Sequence, residues 1–366
     1  MQIPYIDLAF QYNQQREEIL AAIDDVLKSG QYILGPQVEL FEKRMSELCG
    51  VKHAIAVADG TESLMLIMKV MGLGPGDEVI TAPNSWISSA SSITHVGATP
   101  VFVDVSSDQN INPALIEKAI TKKTKAIMPV HLTGKMADMK PILEVAKKYN
   151  LYVIEDAAQA VGAKYHGQPA GSVGHAASFS LHPLKNLNAA GDGGLITTDN
   201  DHFAEQIKLL RNHGIVDREN IKTWGYNSRL DSVQAAILNV RLKYLDQVTE
   251  KRRYNSELYR KLLTQKVRCP EDADGCFDVY HLFVIQVARR NELKAYLQTK
   301  GITTAIHYPV PIHLYKAAEE LGYSRGSFPV CEAQSNEILS LPIHQGITDE
   351  HIEYISSHIN TFMEQL

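Results

Sequence analysis

The chain has no excess of positive charge. Its formal net charge is −6 over 366 residues, so the basic footprint of a nucleic-acid binder is missing. A mildly acidic balance excludes little else, because a local basic pocket can still take an anion. Cysteines are few: Cys49, Cys269, Cys276 and Cys331, with no CxxC spacing. They offer neither a disulfide frame nor a metal site, and read as free thiols in a reducing cytoplasm. No apolar run approaches a membrane span. The opening MQIPYIDLAFQYNQQREE lacks the basic stretch and apolar core of a secretion signal. Internal repeats and low-complexity tracts are absent. So is the GxGxxG turn that a dinucleotide-binding oxidoreductase would carry after its first strand; Gly191-Asp192-Gly193-Gly194 has the wrong spacing.

Hydrophobic residues at 45% and charged residues at 21% are ordinary for a globular protein. The length suits two domains or one large α/β unit. Residues 17–29 place Ile19, Leu20, Ile23, Val26 and Leu27 at helical spacing, ended by Gly30. From about residue 53 to 200, short β-branched runs alternate with helical stretches: HAIAVA then ESLMLIMKVM, DEVITA then a Ser-rich helix from Ile87, then TPVFVDV, KAIMPV, PILEVAKKY and LYVIED. Such alternation implies a mostly parallel sheet with crossover helices. Residues 231–264 read as one long helical stretch, and the KRR run at 251–253 as a solvated face. A smaller α+β pattern follows: a strand at HLFVIQV, a helix at RNELKAYLQTKG and a last helix from Thr348. The change of domain falls near 240–245.

Four segments carry chemistry. The first is SFSLHPLKNLNAAGDGGLITT, residues 178–198. Lys185 sits there among apolar neighbours, ahead of glycines that let a ligand approach the backbone. It reads either as a solvated loop cation or as a semi-buried amine of depressed pKa, able to act as a Schiff-base nucleophile. The second is LYVIEDAAQAVGA, residues 151–163. Its Glu155-Asp156 pair ends a strand where parallel sheets bind ligands. An Asp before AAQA also suits a helix cap. Asp156 could instead pair with a protonated pyridine nitrogen, worth roughly 1.5–3 kcal/mol. Strand alternation lets only one of the two carboxylates face the site. The third is ADGTESLMLIMKVMG, residues 58–72, whose helix start can bind phosphate or simply be capped by Thr61. The fourth is residues 80–105, where Trp86 follows a strand end. Its indole can stack on a planar ring or pack in the core.

Together, and in this order, these pieces resemble the DegT/DnrJ/StrS sugar aminotransferases of PLP fold type I. The resemblance runs over nearly the whole chain, from PYIDLAFQY through VHLTGKMADM and EDAAQAVGA to HGIVDR, GYNSRLDSVQAAI and GITTAIHYPVPIHL. It implies an aspartate-aminotransferase-like α/β fold. Residues 31–243 would form a large domain around a mostly parallel seven-stranded sheet flanked by helices. Residues 244–366 would form a smaller α+β domain, and residues 1–30 would pack with it. The implied cofactor is pyridoxal 5'-phosphate (PLP). By the same resemblance, Lys185 carries it and shuttles a proton, Asp156 pairs with its ring nitrogen and Gln159 contacts its ring hydroxyl. Ser180 and the backbone amides at Thr61 and Glu62, after Gly60, hold the phosphate, and Trp86 stacks on the ring. Asn227 reaches the cofactor of a neighbouring subunit, which implies a homodimer with shared sites. His307, Tyr308 and His313 fall in a segment like the family's substrate side, although the two histidines could equally be structural. Arg229 reads as structural or interfacial.

The implied reaction moves an amino group from L-glutamate to a ketosugar, nucleotide-linked and favouring the 3-keto form. A keto-octulosonate, an inosose or a 4-ketosugar stay open as acceptors. Three departures, His182, Asn188 and Thr133, are expected near the substrate. A dehydratase of this family would carry histidine at the lysine position, so Lys185 argues against it. A non-catalytic PLP-binding regulator stays open.

Overall fold

The computed structural model describes residues 1–365. The final residue of the expected small domain, at position 366, lies outside them. At the centre is a seven-stranded sheet made of β1 (His53–Val57), β2 (Glu78–Thr81), β3 (Thr99–Phe102), β4 (Thr124–Ile127), β5 (Tyr152–Asp156), β6 (Ala176–Ser180) and β7 (Gly194–Thr198). The spatial order is β1-β7-β6-β5-β4-β2-β3. Strands β2 to β6 run parallel, whereas β7 is antiparallel to both β6 and β1. The reason lies in the connections. Helices Ser88–His95, Pro113–Ala119 and Met139–Tyr149 each carry the chain back across the sheet, as parallel pairing demands. The loop 157–175 returns the chain to the parallel β6 without a helix, using a short hairpin instead, whereas the shorter loop 181–193 simply turns the chain round into β7. The sheet is therefore mostly parallel, and the lysine loop is its one antiparallel return.

Apolar layers cover both faces. Leu64, Ile67 and Met68 of the helix Gly60–Val70, with Phe203 and Ile207, pack on one face. Phe41, Met45 and Ile142 pack on the other. With both faces covered, the inner strands are buried along almost their whole length, as parallel strands usually are.

The N-terminal helix spans Leu8–Ser29, longer than the apolar spacing suggested. Asp7 caps it by accepting from the Phe10 amide at 2.8 Å. The N-terminal segment divides its contacts. Ile3 pairs with Ile302 of the C-terminal body, but the helix lies on Ser232–Arg241 through Ile19, Ile237 and Val240. The expected single helix over 231–264 is two, Ser232–Arg241 and Leu245–Leu262, joined by a 3-10 turn at Leu242–Tyr244. Beyond it, β8 (Phe283–Gln286) pairs antiparallel with β9 (Ile338–Leu341). They share a core of their own with Tyr259, Leu293, Leu297, Ile352, Ile355 and Ile359. The last helix, Asp349–Glu364, begins at a capping box in which His351 stands in the usual Glu position. Among the described residues no helix is long and apolar enough to cross a membrane.

One contact ties the sheet to the site. A Cβ on Gly194 would lie 2.2 Å from the carbonyl oxygen of Asp59, so only glycine lets β7 approach the start of the helix Gly60–Val70. Gly194→Ala is expected to cost about 1–3 kcal/mol by overpacking, read from urea unfolding. Gly74→Ala, whose Cβ would lie 3.8 Å from its nearest neighbour, is the control and should change stability by less than about 0.5 kcal/mol.

Candidate active site

The carboxyl ends of the parallel strands gather the candidate residues. Asp156 ends β5, and Trp86 follows β2. Lys185 stands in the loop after β6, and His131 and Thr133 follow β4. Strand alternation separates the two carboxylates of β5. Glu155 is fully buried and faces away from Lys185, against the loop after β5. It accepts from the amides of Gly171, Val173 and Gly174 at 3.0, 2.8 and 2.7 Å and pairs with His131 Nε2 at 2.8 Å. Burial pushes its carboxyl up, but the His131 bond and charge and the loop amides outweigh this and hold it below the usual range. Asp156 is the one that faces the site. Ser89 Oγ donates to its Oδ2 at 2.7 Å, and the Ala158 amide donates to Oδ1 at 3.3 Å.

Lys185 is half-buried. Among the described residues no hydrogen-bond or ion-pair partner engages its ammonium group. Burial lowers its pKa to about 8, partly offset by the charge of Asp156. That is an amine partly neutral at ordinary pH and paired with nothing of its own. A nearby histidine is kept neutral. His307 is lowered to about 4 by burial and by Lys185, and its Nδ1 shares a hydrogen bond of 2.8 Å with Ser340 Oγ.

Gln159 links the site to its far wall. Its Oε1 accepts from the Thr133 amide at 2.6 Å, so its Nε2 must donate to Tyr308 Oη, at 2.8 Å. Burial and the Asp156 charge push the Tyr308 phenol up, opposed by Gln159, and it stays protonated. The Tyr308 ring lies 6.5 Å from the Trp86 ring. The Trp86 indole is 63% exposed, which excludes packing in the core.

The helix start differs from expectation. Asp59, not Thr61, is the cap: its Oδ1 accepts from the amides of Thr61 and Glu62 at 2.7 and 2.9 Å. Those two amides, expected to hold a phosphate, are already engaged. The hydroxyls remain. Thr61 Oγ1 meets Ser88 Oγ at 2.8 Å, and Ser180 lies so close to Gly60 that a Cβ there would sit 3.0 Å from the Ser180 Cβ. Gly60 thus has no room for a side chain against Ser180, and the two hydroxyls lie beside a helix start, where an anion could accept from them.

Other expected residues stand apart. His313 is buried against the Phe328 ring at 4.7 Å and pairs with Glu332 at 3.0 Å. It braces a segment that packs on the large-domain core through Phe328 and Phe102, and does not join the Lys185 group. Asn227 is exposed and bridges only to Asn212; Arg229 donates to Asn212 Oδ1 at 3.0 Å, a structural contact. Of the departures, Asn188 is not at the substrate wall. It is buried, exchanges hydrogen bonds with the Gln11 amide at 3.2 and 3.3 Å, and accepts from Arg241 at 3.0 Å. It tethers the lysine loop to the N-terminal helix.

Sequence reasoning missed Ser89 and His281. Ser89 lay in a run of serines that offered no means of choosing one. His281, beside Asn186 at 3.3 Å, is buried and held well below its usual pKa by burial, Lys185 and Arg252. It comes from just ahead of β8, far along the chain, and carries no local signal.

The profile of the DegT/DnrJ/EryC1/StrS aminotransferase family matches residues 13–360. The chain is 43% identical over 367 residues to a pleiotropic regulatory protein of Geobacillus stearothermophilus, covering 99% of each. It is 43% identical to the dTDP-3-amino-3,6-dideoxy-alpha-D-galactopyranose transaminase of Aneurinibacillus thermoaerophilus, covering 98% of this chain and 99% of that one. Among solved structures it is similar to DesV of S. venezuelae, with a TM-score of 0.97 and 39% identity over 100% of this chain and 99% of that one. It is also similar to NtdA of Bacillus subtilis with bound PMP, the amino form of PLP, with a TM-score of 0.93 and 31% identity over 100% of this chain and 86% of that one. The arrangement around Lys185 and Asp156 is thus found in a fold shared with PLP enzymes, and this chain belongs to the DegT/DnrJ/EryC1/StrS aminotransferase family.

Proposed function

We propose that this PLP-dependent aminotransferase moves an amino group from L-glutamate to the C3 carbonyl of a nucleotide-linked ketosugar, as a cytoplasmic homodimer. One observation carries the reading: Lys185 presents a semi-buried amine of pKa about 8, without a partner among the described residues, beside a fixed Asp156. A lysine so placed is poorly satisfied as a structural cation and well suited to a covalent partner. The transaminase relative of A. thermoaerophilus, named for a dTDP-linked 3-aminosugar, supports the acceptor class.

The residues present fit PLP. Lys185 would hold it covalently, Asp156 would keep a proton on its ring nitrogen, and Gln159 would face its ring hydroxyl. Trp86 would cover one ring face, and the Thr61 and Ser180 hydroxyls would take its phosphate. When bound, the cofactor supplies an electron sink for charge at the carbon next to the transferred nitrogen. The chain's own part is proton movement and placement. Lys185 Nζ takes a proton from the donor's α-carbon and returns one, as base and then acid. Ser89 and the Ala158 amide keep the Asp156 carboxylate aimed. His307 and Tyr308, both uncharged, form the substrate-side wall. A second subunit is supported by an exposed arm at 213–226, where Val216, Ile221, Trp224 and Tyr226 all face outward, Trp224 at 95% exposure. Apolar surface gathered this way marks an interaction site, and Asn227 follows directly after it.

The name of the Geobacillus relative favours a second reading, a PLP-binding regulator. Spectroscopy separates the two. The purified protein should be yellow, and L-glutamate should convert its visible band to that of the amino form; colour without conversion by any amino donor would favour the regulator. Lys185→Ala should lose at least about 1000-fold in turnover, within the range of general acid–base contributions, and lose the borohydride-sensitive band.

A pH dependence follows from the amine. The rate of PLP capture by cofactor-stripped protein should rise with pH and level off above about 8. Asp156 raises the Lys185 pKa, so Asp156→Asn should move that midpoint down. An upward shift in stopped-flow absorbance would contradict the assignment.

A further inference from the structure

The backbone amide of Lys185 only closes a turn, donating to the His182 carbonyl at 2.9 Å. The next residue reaches further. Asn186 is buried, and its side chain leaves the loop to grip a segment 93 residues along the chain. Its Nδ2 donates to the Val279 carbonyl at 3.0 Å. Rotating the amide would set Oδ1 against that carbonyl oxygen. Oδ1 is therefore the acceptor on the other side, and His281 Nδ1 donates to it at 3.3 Å. His281 is neutral, since burial first, and then the charges of Lys185 and Arg252, oppose its protonation. Its one ring proton is thus fixed on Nδ1.

The segment that Asn186 grips is braced from both sides. The Val279 amide donates to the Gly134 carbonyl at 3.0 Å, and the Leu282 amide to the Thr133 carbonyl at 3.2 Å. The buried Arg252 guanidinium donates to the carbonyls of Tyr280 and His281 at 3.0 and 3.1 Å. Gly134 fits so closely that a Cβ there would lie 2.8 Å from the His281 amide nitrogen. The titratable groups facing Lys185 are Asp156 from β5, and His281 and His307 from the C-terminal body; among the described residues none of them bonds its ammonium. We propose that Asn186 and His281 are positioning residues for Lys185, and that their clamp, not a contact of the amine, holds Nζ where it meets the aldehyde of PLP. The inference rests on the assignment of Lys185 above. A displacement of about 1 Å at a reacting group can cost about 100-fold in rate, so a clamp one residue away governs the chemistry without touching it.

The test reads two quantities: the pH midpoint of PLP capture by the cofactor-stripped full chain, and the rate at which L-glutamate converts the visible band of the holoenzyme. Asn186→Leu removes both bonds at similar volume. A leucine by itself makes the surroundings of Lys185 more apolar and would lower the midpoint. Release of the loop hydrates the amine and should raise it instead, from about 8 by at least about one unit toward the ordinary lysine value. Conversion of the band should slow by at least about 10-fold, with the half-saturating glutamate concentration changed by less than about 3-fold. His281→Leu should shift the midpoint in the same direction. His281→Asn, whose amide can donate from the position of Nδ1, should keep the wild-type value. Asn255→Leu is the control: it removes buried bonds to the Ile343 and His344 carbonyls, and should lower stability with the midpoint still near 8. A folded Asn186→Leu whose midpoint is not raised would overturn the inference. Should that variant not fold, the two His281 variants decide, and equal midpoints in them would overturn it as well. Failure of the wild type to capture PLP at any pH would count instead against the assignment of Lys185.

Discussion

Two neighbouring carboxylates at the end of β5 point in opposite directions, and the site depends on that. The pleat of a strand sends consecutive side chains to opposite faces. Glu155 goes inward, where three amides of the loop 171–174 and His131 satisfy it completely. Asp156 goes toward Lys185, with Ser89 fixing one oxygen. A one-residue slip of β5 would exchange them, burying an unsatisfied charge on one side and leaving the lysine without its carboxylate on the other. The buried pair thus sets the register that the exposed chemistry needs. It is a structural pair with a positional consequence, since a charge left uncompensated in the interior is costly.

The second dependence is the joint between the sheet and the C-terminal body. Thr133 donates to Gln159, which donates to Tyr308, while the Leu282 amide donates to the Thr133 carbonyl at 3.2 Å. The turn after β4 is therefore laced at once to Gln159 in the loop after β5, to the segment ahead of β8 and, through Gln159, to Tyr308. Thr133 and Tyr308 both take positive φ, at 63° and 65°. Such backbone is held only where the surroundings over-determine it, and it gathers at functional sites. On the other side, Asn188 joins the lysine loop to Gln11 and Arg241. Among the described residues the Lys185 ammonium has no bond to hold it, while its backbone amide donates to the His182 carbonyl at 2.9 Å.

Much was legible in the chain. The alternation of β-branched runs and helical stretches gave the mostly parallel sheet because buried strands and amphipathic helices have periods that cannot be confused over long segments. The chemistry-bearing residues lay close to strand ends, where such sheets place ligands, and the order of the motifs pointed to one family. What remained ambiguous were local alternatives of equal propensity. The helix start could bind phosphate or be capped by Thr61, and Glu155 or Asp156 could face the site. His313 could sit on the substrate side or pack under Phe328. In each case the sequence offers two chemically competent candidates, and only the three-dimensional contacts choose.

By itself, the sequence determined the fold class and the family, and it singled out Lys185 and Asp156 as candidates, because these rest on periodicity and on residue types that few other chemistries need together. Tertiary structure alone decided the reversal of β7, the capture of the helix-start amides by Asp59, the tether at Asn188 and the grip of Asn186 on the segment ahead of β8. Each of these is set by which distant segments meet. Hydrogen-bond satisfaction and close packing are properties of the meeting, and no stretch of chain read in isolation contains them.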